Sequence, residues 1–217
     1  MSSREKILKE IAQNKPPAVP LPTPFLFETA DEQPVVRFLQ VLQSIGGNGK
    51  MVDGWNEVQQ HLQQQFASGV EVVNGIPELS PCTIQEYALK GGAELQNVHM
   101  VFLKGETAVG ENAAIWVSEK AMVNRMLPFI CEQLVLVIRE ENVVDNMHEA
   151  YANVQVDKDG YGVFIAGPSK TADIEQSLVI GAHGPLGLQV FVLRKAVSSI
   201  PQGGSAASPN PSQRGAC

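Results

Sequence analysis

"EQLVLVIRE", residues 132–140, decides how this chain folds. Residues 134–138 are all apolar, with no polar alternation. A strand with one wet face alternates; a strand without alternation is buried on both faces, as at the centre of a parallel sheet. On the N-terminal side, helical and strand patterns alternate. "PVVRFLQVLQSI" (34–45) opens on a proline and ends at Gly46-Gly47, as a helix does. "KMVDG" (50–54) reads as a strand, and "WNEVQQHLQQQF" (55–66) as an amphipathic helix. "GVEVVNG" (69–75) is a strand closed by an Asn-Gly turn. "TIQEYALKGGAEL" (83–95) is helical and broken by Gly91-Gly92. "EKAMVNRML" (119–127) is a short helix stopped by Pro128.

The C-terminal side continues the alternation. "VVDNMHEAYANV" (143–154) reads as a helix, "YGVFIAG" (161–167) as a strand, "TADIEQSLVIGA" (171–182) as a helix and "LQVFVLR" (188–194) as the last strand. Helices alternating with strands predict an α/β fold: a mostly parallel sheet with helices on both faces. "HMVFLKGETAVGENAAIWVS" (99–118) holds two strand patterns and too short a link for a crossover helix, so it predicts an antiparallel pair. Residues 4–14 carry Ile7, Leu8 and Ile11 on one helical stripe, and five prolines between 16 and 24 forbid helix after it. The organisation expected is a helix and proline-rich arm over 1–24, an α/β domain over 25–197, and a disordered Ser/Gly/Pro tail over 198–217.

Composition excludes several classes. A formal net charge of −7 is the wrong sign for a grip on nucleic-acid phosphates or on anionic lipid. No apolar run reaches the length of a membrane helix, and the charged N-terminus has no secretory h-region, so a cytoplasmic location is expected. Three scattered cysteines, 82, 131 and 217, exclude a disulfide framework and a self-contained iron–sulfur cluster. Cys131, beside the central strand, reads as a buried inert thiol. Four histidines without ligand spacing predict no metal site: His61 reads as surface, His99 as a satisfied strand residue and His148 as a solvated helix face.

The stretch after 161–167 concentrates polar chemistry. If a strand ends at Gly167-Pro168 and a helix begins beyond, Ser169 or Thr171 caps that helix and Asp173 sits in its first turn. Its free amides and dipole would then receive an anion, with Lys170 as the cation. His183 lies at the far end of the same predicted helix, and Asp173, Glu175 and His183 crowd one short segment. The alternative is a turn with a solvated cap. Lys170-Thr171 does not complete a phosphate loop, because the glycine positions are Phe164 and Ser169.

"GPSKTADIEQSLVIGAHGPLGLQVFVL" (167–193) resembles the C-terminal signature of the lactate-utilization LutC/YkgG family, the LUD domain. "VVDNMHEAY" after "EQLVLVIRE" is similar to the same family's segment after its central strand. The resemblance implies a NagB/RpiA/CoA-transferase-like fold. It also implies one component of a three-part L-lactate oxidation system, whose partners carry the iron–sulfur clusters and in which this component carries no cofactor. The ligand-binding residues it implies are Gly167, Pro168, Ser169, Lys170, Thr171, Asp173, Glu175, His183 and Gly184, and Glu111 in the middle strand pair. The ligand expected is a small anionic metabolite or the partner's redox centre. The family's Thr-Gly-Thr after that acid is Asn112-Ala113-Ala114 here, so a hydroxyl and an approachable glycine backbone are missing. Two other readings stay open: a stand-alone enzyme on a CoA ester, sugar phosphate or folate, with Glu111 as its acid, and a non-catalytic scaffold whose N-terminal arm docks on a partner.

Overall fold

The computed structural model describes residues 2–17, 19–20, 32–154, 160–172, 178–181 and 183–195, with backbone only for 171, 172 and 178–180. The expected C-terminal tail lies outside the described residues. Five strands form a parallel sheet: β1 (Asn48–Val52), β2 (Val72–Asn74), β3 (Met100–Lys104), β6 (Gln133–Arg139) and β11 (Gly187–Leu193). Their order is β1-β11-β6-β3-β2, so the uninterrupted apolar strand β6 is the middle one. Its side chains alternate between two cores. Leu134, Leu136 and Ile138 join one cluster with Phe38 and Leu42. Val135 and Val137 join the other with Val58 and Leu62. Each such side chain, removed from water, contributes about 2 kcal/mol.

Helix α2 (Pro34–Ser44) covers the first face and helix α3 (Trp55–Ala67) the second. A smaller mixed sheet, ordered β7-β4-β5-β8, also packs on the first face. It comprises β4 (Thr107–Val109), β5 (Ile115–Ser118), β7 (Val143–Val144) and β8 (Gly162–Ile165). Short helices α4 (Ile84–Tyr87), α5 (Gly92–Leu95), α6 (Glu119–Met122) and α7 (Leu127–Ile130) fill the joints, and α8 (Met147–Asn153) follows β7. Asn146 caps α8 by accepting from the Glu149 amide at 3.0 Å. The N-terminal helix α1 (Ser3–Gln13) is closed by a Ser2–Glu5 capping box and buries none of its residues. Among the described residues no helix is long and apolar enough to cross a membrane.

Three local expectations are corrected. The antiparallel pair is β4 with β5, not 99–104 with 113–118. β3 is buried along Met100–Leu103 and joins β6 in parallel. The chain changes sheets at Gly105, whose amide donates to Val137 O while that of Glu106 donates to Trp116 O. Second, β8 pairs antiparallel with β5 in the smaller sheet, so its end is not the mouth of the parallel sheet. Third, the helix expected over 171–182 is not formed where the backbone is described. β9 (Lys170–Ala172) and β10 (Leu178–Ile180) pair antiparallel as a hairpin. Thr171, Val179 and Ile180 are β-branched and favour extended backbone. Gly167 and Gly181 bracket the hairpin with φ of +73° and +80°. Only glycine adopts such angles without cost.

Candidate functional site

The hairpin removes the helix start that was to bind an anion. The Ser169 amide donates to Pro185 O at 2.9 Å, and the Gly181 amide donates to Ser169 O at 3.0 Å. An amide cradle at Ser169 is therefore already satisfied from within the chain. The same two bonds bring 167–170 and 181–185 side by side. Gly184 lies against Ser169, and Gly167 lies against the Ile45 carbonyl, where an added Cβ would stand 3.1 Å away.

Between these segments is a cavity of about 370 Å³. Gly167, Pro168, Ser169, Lys170, His183 and Gly184 line one side, and Phe129, Leu134, Phe164 and Leu188 supply apolar surface. Gly167 and Pro168 are buried; Lys170 and His183 are exposed. The polar equipment is thus made of side chains: a hydroxyl, an ammonium and an imidazole beside aromatic rings. A wider cavity of about 620 Å³ adjoins it, sharing Phe129, His183 and Gly184. Arg125 borders it, held by Glu119 at 2.7 Å and over the Tyr161 ring at 5.0 Å.

Not all the expected residues meet there. Thr171 is described by its backbone alone, paired in the hairpin, and Asp173 and Glu175 lie outside the described residues. Glu111 is not in the cavity wall. Its carboxylate accepts from the Met147 amide at 2.8 Å, at the start of α8, and its own amide donates to Asp145 O. That is the work of a helix-end anchor. Beside it, Ala113 adopts φ +56° where the resemblance expects glycine, and Asn112 Oδ1 accepts from the Ala114 amide at 3.0 Å.

The other histidines also find places. His99 pairs with Glu132 at 2.9 Å, at the amino ends of β3 and β6. His61, expected on the surface, is half-buried against the rings of Phe102 and Phe191 at 5.8 and 5.5 Å. Burial first, and then the charge of Lys50, lower its pKa. No cluster of three potential metal ligands occurs among the described residues.

A third cavity, of about 470 Å³, opens at the other end of the parallel sheet. Lys104 and Arg139 reach it from the ends of β3 and β6, and Lys120 from α6. Sequence reasoning passed over these residues. For Lys104 and Arg139 the signal was a charged residue directly after a buried apolar run; Lys120 carried no such signal.

A family profile described as the LUD domain matches residues 92–193, which takes in β6, the hairpin and most of the three cavities' lining. Residues 92–193 are a LUD domain. Lactate utilization protein C from Geobacillus thermodenitrificans is 31% identical over 100 residues, covering 43% of this chain and 41% of that protein. The protein of the same name from Bacillus velezensis is 32% identical over 100 residues, with the same coverages. The chain thus spans about two-fifths of the length of these curated relatives. The crystal structure of a DUF162 family protein from Deinococcus radiodurans superposes with a TM-score of 0.56 at 20% identity. It covers 74% of this chain and 96% of its own, and shares the α/β fold of this LUD domain.

Proposed function

We propose that this chain serves L-lactate utilization as the component without iron–sulfur ligands, and that it binds a small 2-hydroxy or 2-oxo monocarboxylate. The observation that carries the reading is the meeting of Ser169–Lys170 and His183–Gly184 at one small cavity. The names of the lactate-utilization relatives supply the process. In the cavity, Lys170 takes the carboxylate as a charge-assisted hydrogen bond. His183 and the Ser169 hydroxyl address the 2-oxygen. Phe129 and Phe164 face the methyl group. The volume of about 370 Å³ leaves ample room for a metabolite of this size. The chain contributes recognition; electrons leave the substrate through partner proteins that carry the clusters.

The test is calorimetric titration of L-lactate and pyruvate into the full chain, beside Lys170→Gln. Binding weakened about tenfold by the substitution, the cost of one charge-assisted contact, is the expected result. Growth on L-lactate after gene deletion gives the second readout. Undiminished growth, or binding indifferent to Lys170, overturns the reading.

A further inference from the structure

The cavity at the carboxyl ends of the parallel strands is not used by the function proposed above. We infer that it is a second ligand site, for a phosphate-bearing small molecule. In open α/β sheets ligands bind outside the carboxyl ends of the strands, because the chain must there leave the sheet and the loops part. The cleft lies at the ends of β3, β6 and β11 and holds about 470 Å³.

Its charge departs from that of the molecule. The chain carries −7 overall, yet Lys104, Lys120 and Arg139 line this one opening with Glu106 as the acid among them. Three cations arriving from three separate elements surround a tetrahedral group better than they clamp a flat carboxylate. Glu106 is turned to other work, accepting from the buried Ser118 hydroxyl at 2.5 Å. The remaining acids pair from outside the lining. Lys104 bonds Glu78, and Arg139 stands 3.7 Å from Glu141. Burial raises the Glu78 pKa, but the Lys104 hydrogen bond and the charges of Lys104 and Arg139 outweigh it and hold the carboxylate ionised. All four side chains are 35–54% exposed, and such pairs contribute little and exchange readily for a dianion. Trp55, over whose ring Lys104 sits at 5.7 Å, offers a flat wall for the organic part.

The backbone behind one wall is strained. Val123 has φ +65° and ψ −54°, with the Asn124 amide donating to Met122 O. This is a γ-turn of the rare strained kind, at a β-branched residue. Asn124 holds it, its side chain donating to the carbonyls of Tyr87, Ala88 and Lys90. The turn presses Val123 onto Gly75, where a Cβ would stand 2.6 Å from Val123 Cγ2. Gly75, Lys120 and Ala121 are all part of the cleft. Backbone strain kept in this way gathers at ligand sites.

The experiment titrates inorganic phosphate, pyrophosphate and AMP into the full chain by calorimetry, and repeats each with Arg139→Gln, Lys120→Gln and Lys170→Gln. The expected result is binding of at least one probe at about 1 mM or tighter. It should weaken about tenfold with Arg139→Gln and with Lys120→Gln, and stay unchanged with Lys170→Gln. Preference for AMP over the inorganic probes assigns an ester; equal binding assigns free phosphate. No heat from any probe, or binding that only Lys170→Gln weakens, overturns the inference and leaves the monocarboxylate reading to its own test. Unchanged thermal midpoints in the variants show that the fold survives.

Discussion

Gly184 packs on Ser169 so closely that a β-carbon added to Gly184 would stand 3.0 Å from that of Ser169. Both residues line the cavity proposed for the monocarboxylate. A branched side chain at 184 would fill the space and push the hairpin apart. Gly184→Val should abolish L-lactate binding by calorimetry and cost about 1–3 kcal/mol in urea denaturation, the range for overpacking.

Asn74 is fully buried at the end of β2. Its side-chain amide donates to the carbonyls of Ile76, Leu79 and Pro81, and its oxygen accepts from the Ile76 amide. These bonds shape the loop that walls the carboxyl-end cleft. Asn74→Ala leaves the buried Leu79 carbonyl and the buried Ile76 amide without this partner and should cost about 3 kcal/mol. The denaturation midpoint reports it; a loss under about 1 kcal/mol would mean that water replaces the amide.

Ala113 occupies left-handed backbone and is fully buried. Replacing it by glycine relieves about 1–2 kcal/mol of strain. It adds about 0.5–1 kcal/mol of unfolded-chain entropy and removes a buried methyl worth about 0.8 kcal/mol. The contributions nearly cancel, so Ala113→Gly should leave stability within about 1 kcal/mol of the parent. Ala113→Val, β-branched in the same conformation, should unfold the chain at distinctly lower urea.

His61 has a depressed pKa in the fold. The unfolded chain then binds its proton first, so stability is intact above the ordinary imidazole value of about 6.5 and falls as pH drops through the folded value. Glu78, also depressed, contributes only in the lower carboxylate range. Between pH 7 and pH 5 the parent should lose more stability than His61→Gln. Parallel stability curves would show that the imidazole is solvated in solution.

Burial pushes the Cys131 thiol up to about 12, against a smaller opposing hydrogen bond from the backbone. With Cys82 and Cys217 replaced by serine, the native chain should not react with an aromatic disulfide reagent at neutral pH. Denaturant should release a single reactive thiol.

Much of the fold was legible because its signals are local. Residues 134–138 have no alternation, so β6 had to be central, and it is. Helices α2 and α3 announced themselves by spacing and by the glycines at their ends. The hairpin did not, because a short apolar run such as 178–180 fits helix and strand alike until a partner strand is seen. His61 hid for a related reason: a polar residue among glutamines looks solvated until the strands that bear Phe102 and Phe191 come under it.

The amino-acid order alone determined the alternation of elements, the two-faced burial of the sheet and the kinship of residues 167–193. Each is read from the order and spacing of residues near one another along the chain. Which side chains share a cavity was decided only by the tertiary structure. Lys104 stands beside Val137 because β3 and β6 pair in parallel at that register, and Arg139 follows two residues on. Residues 35 apart thus open on one cleft through a strand pairing that no local periodicity encodes.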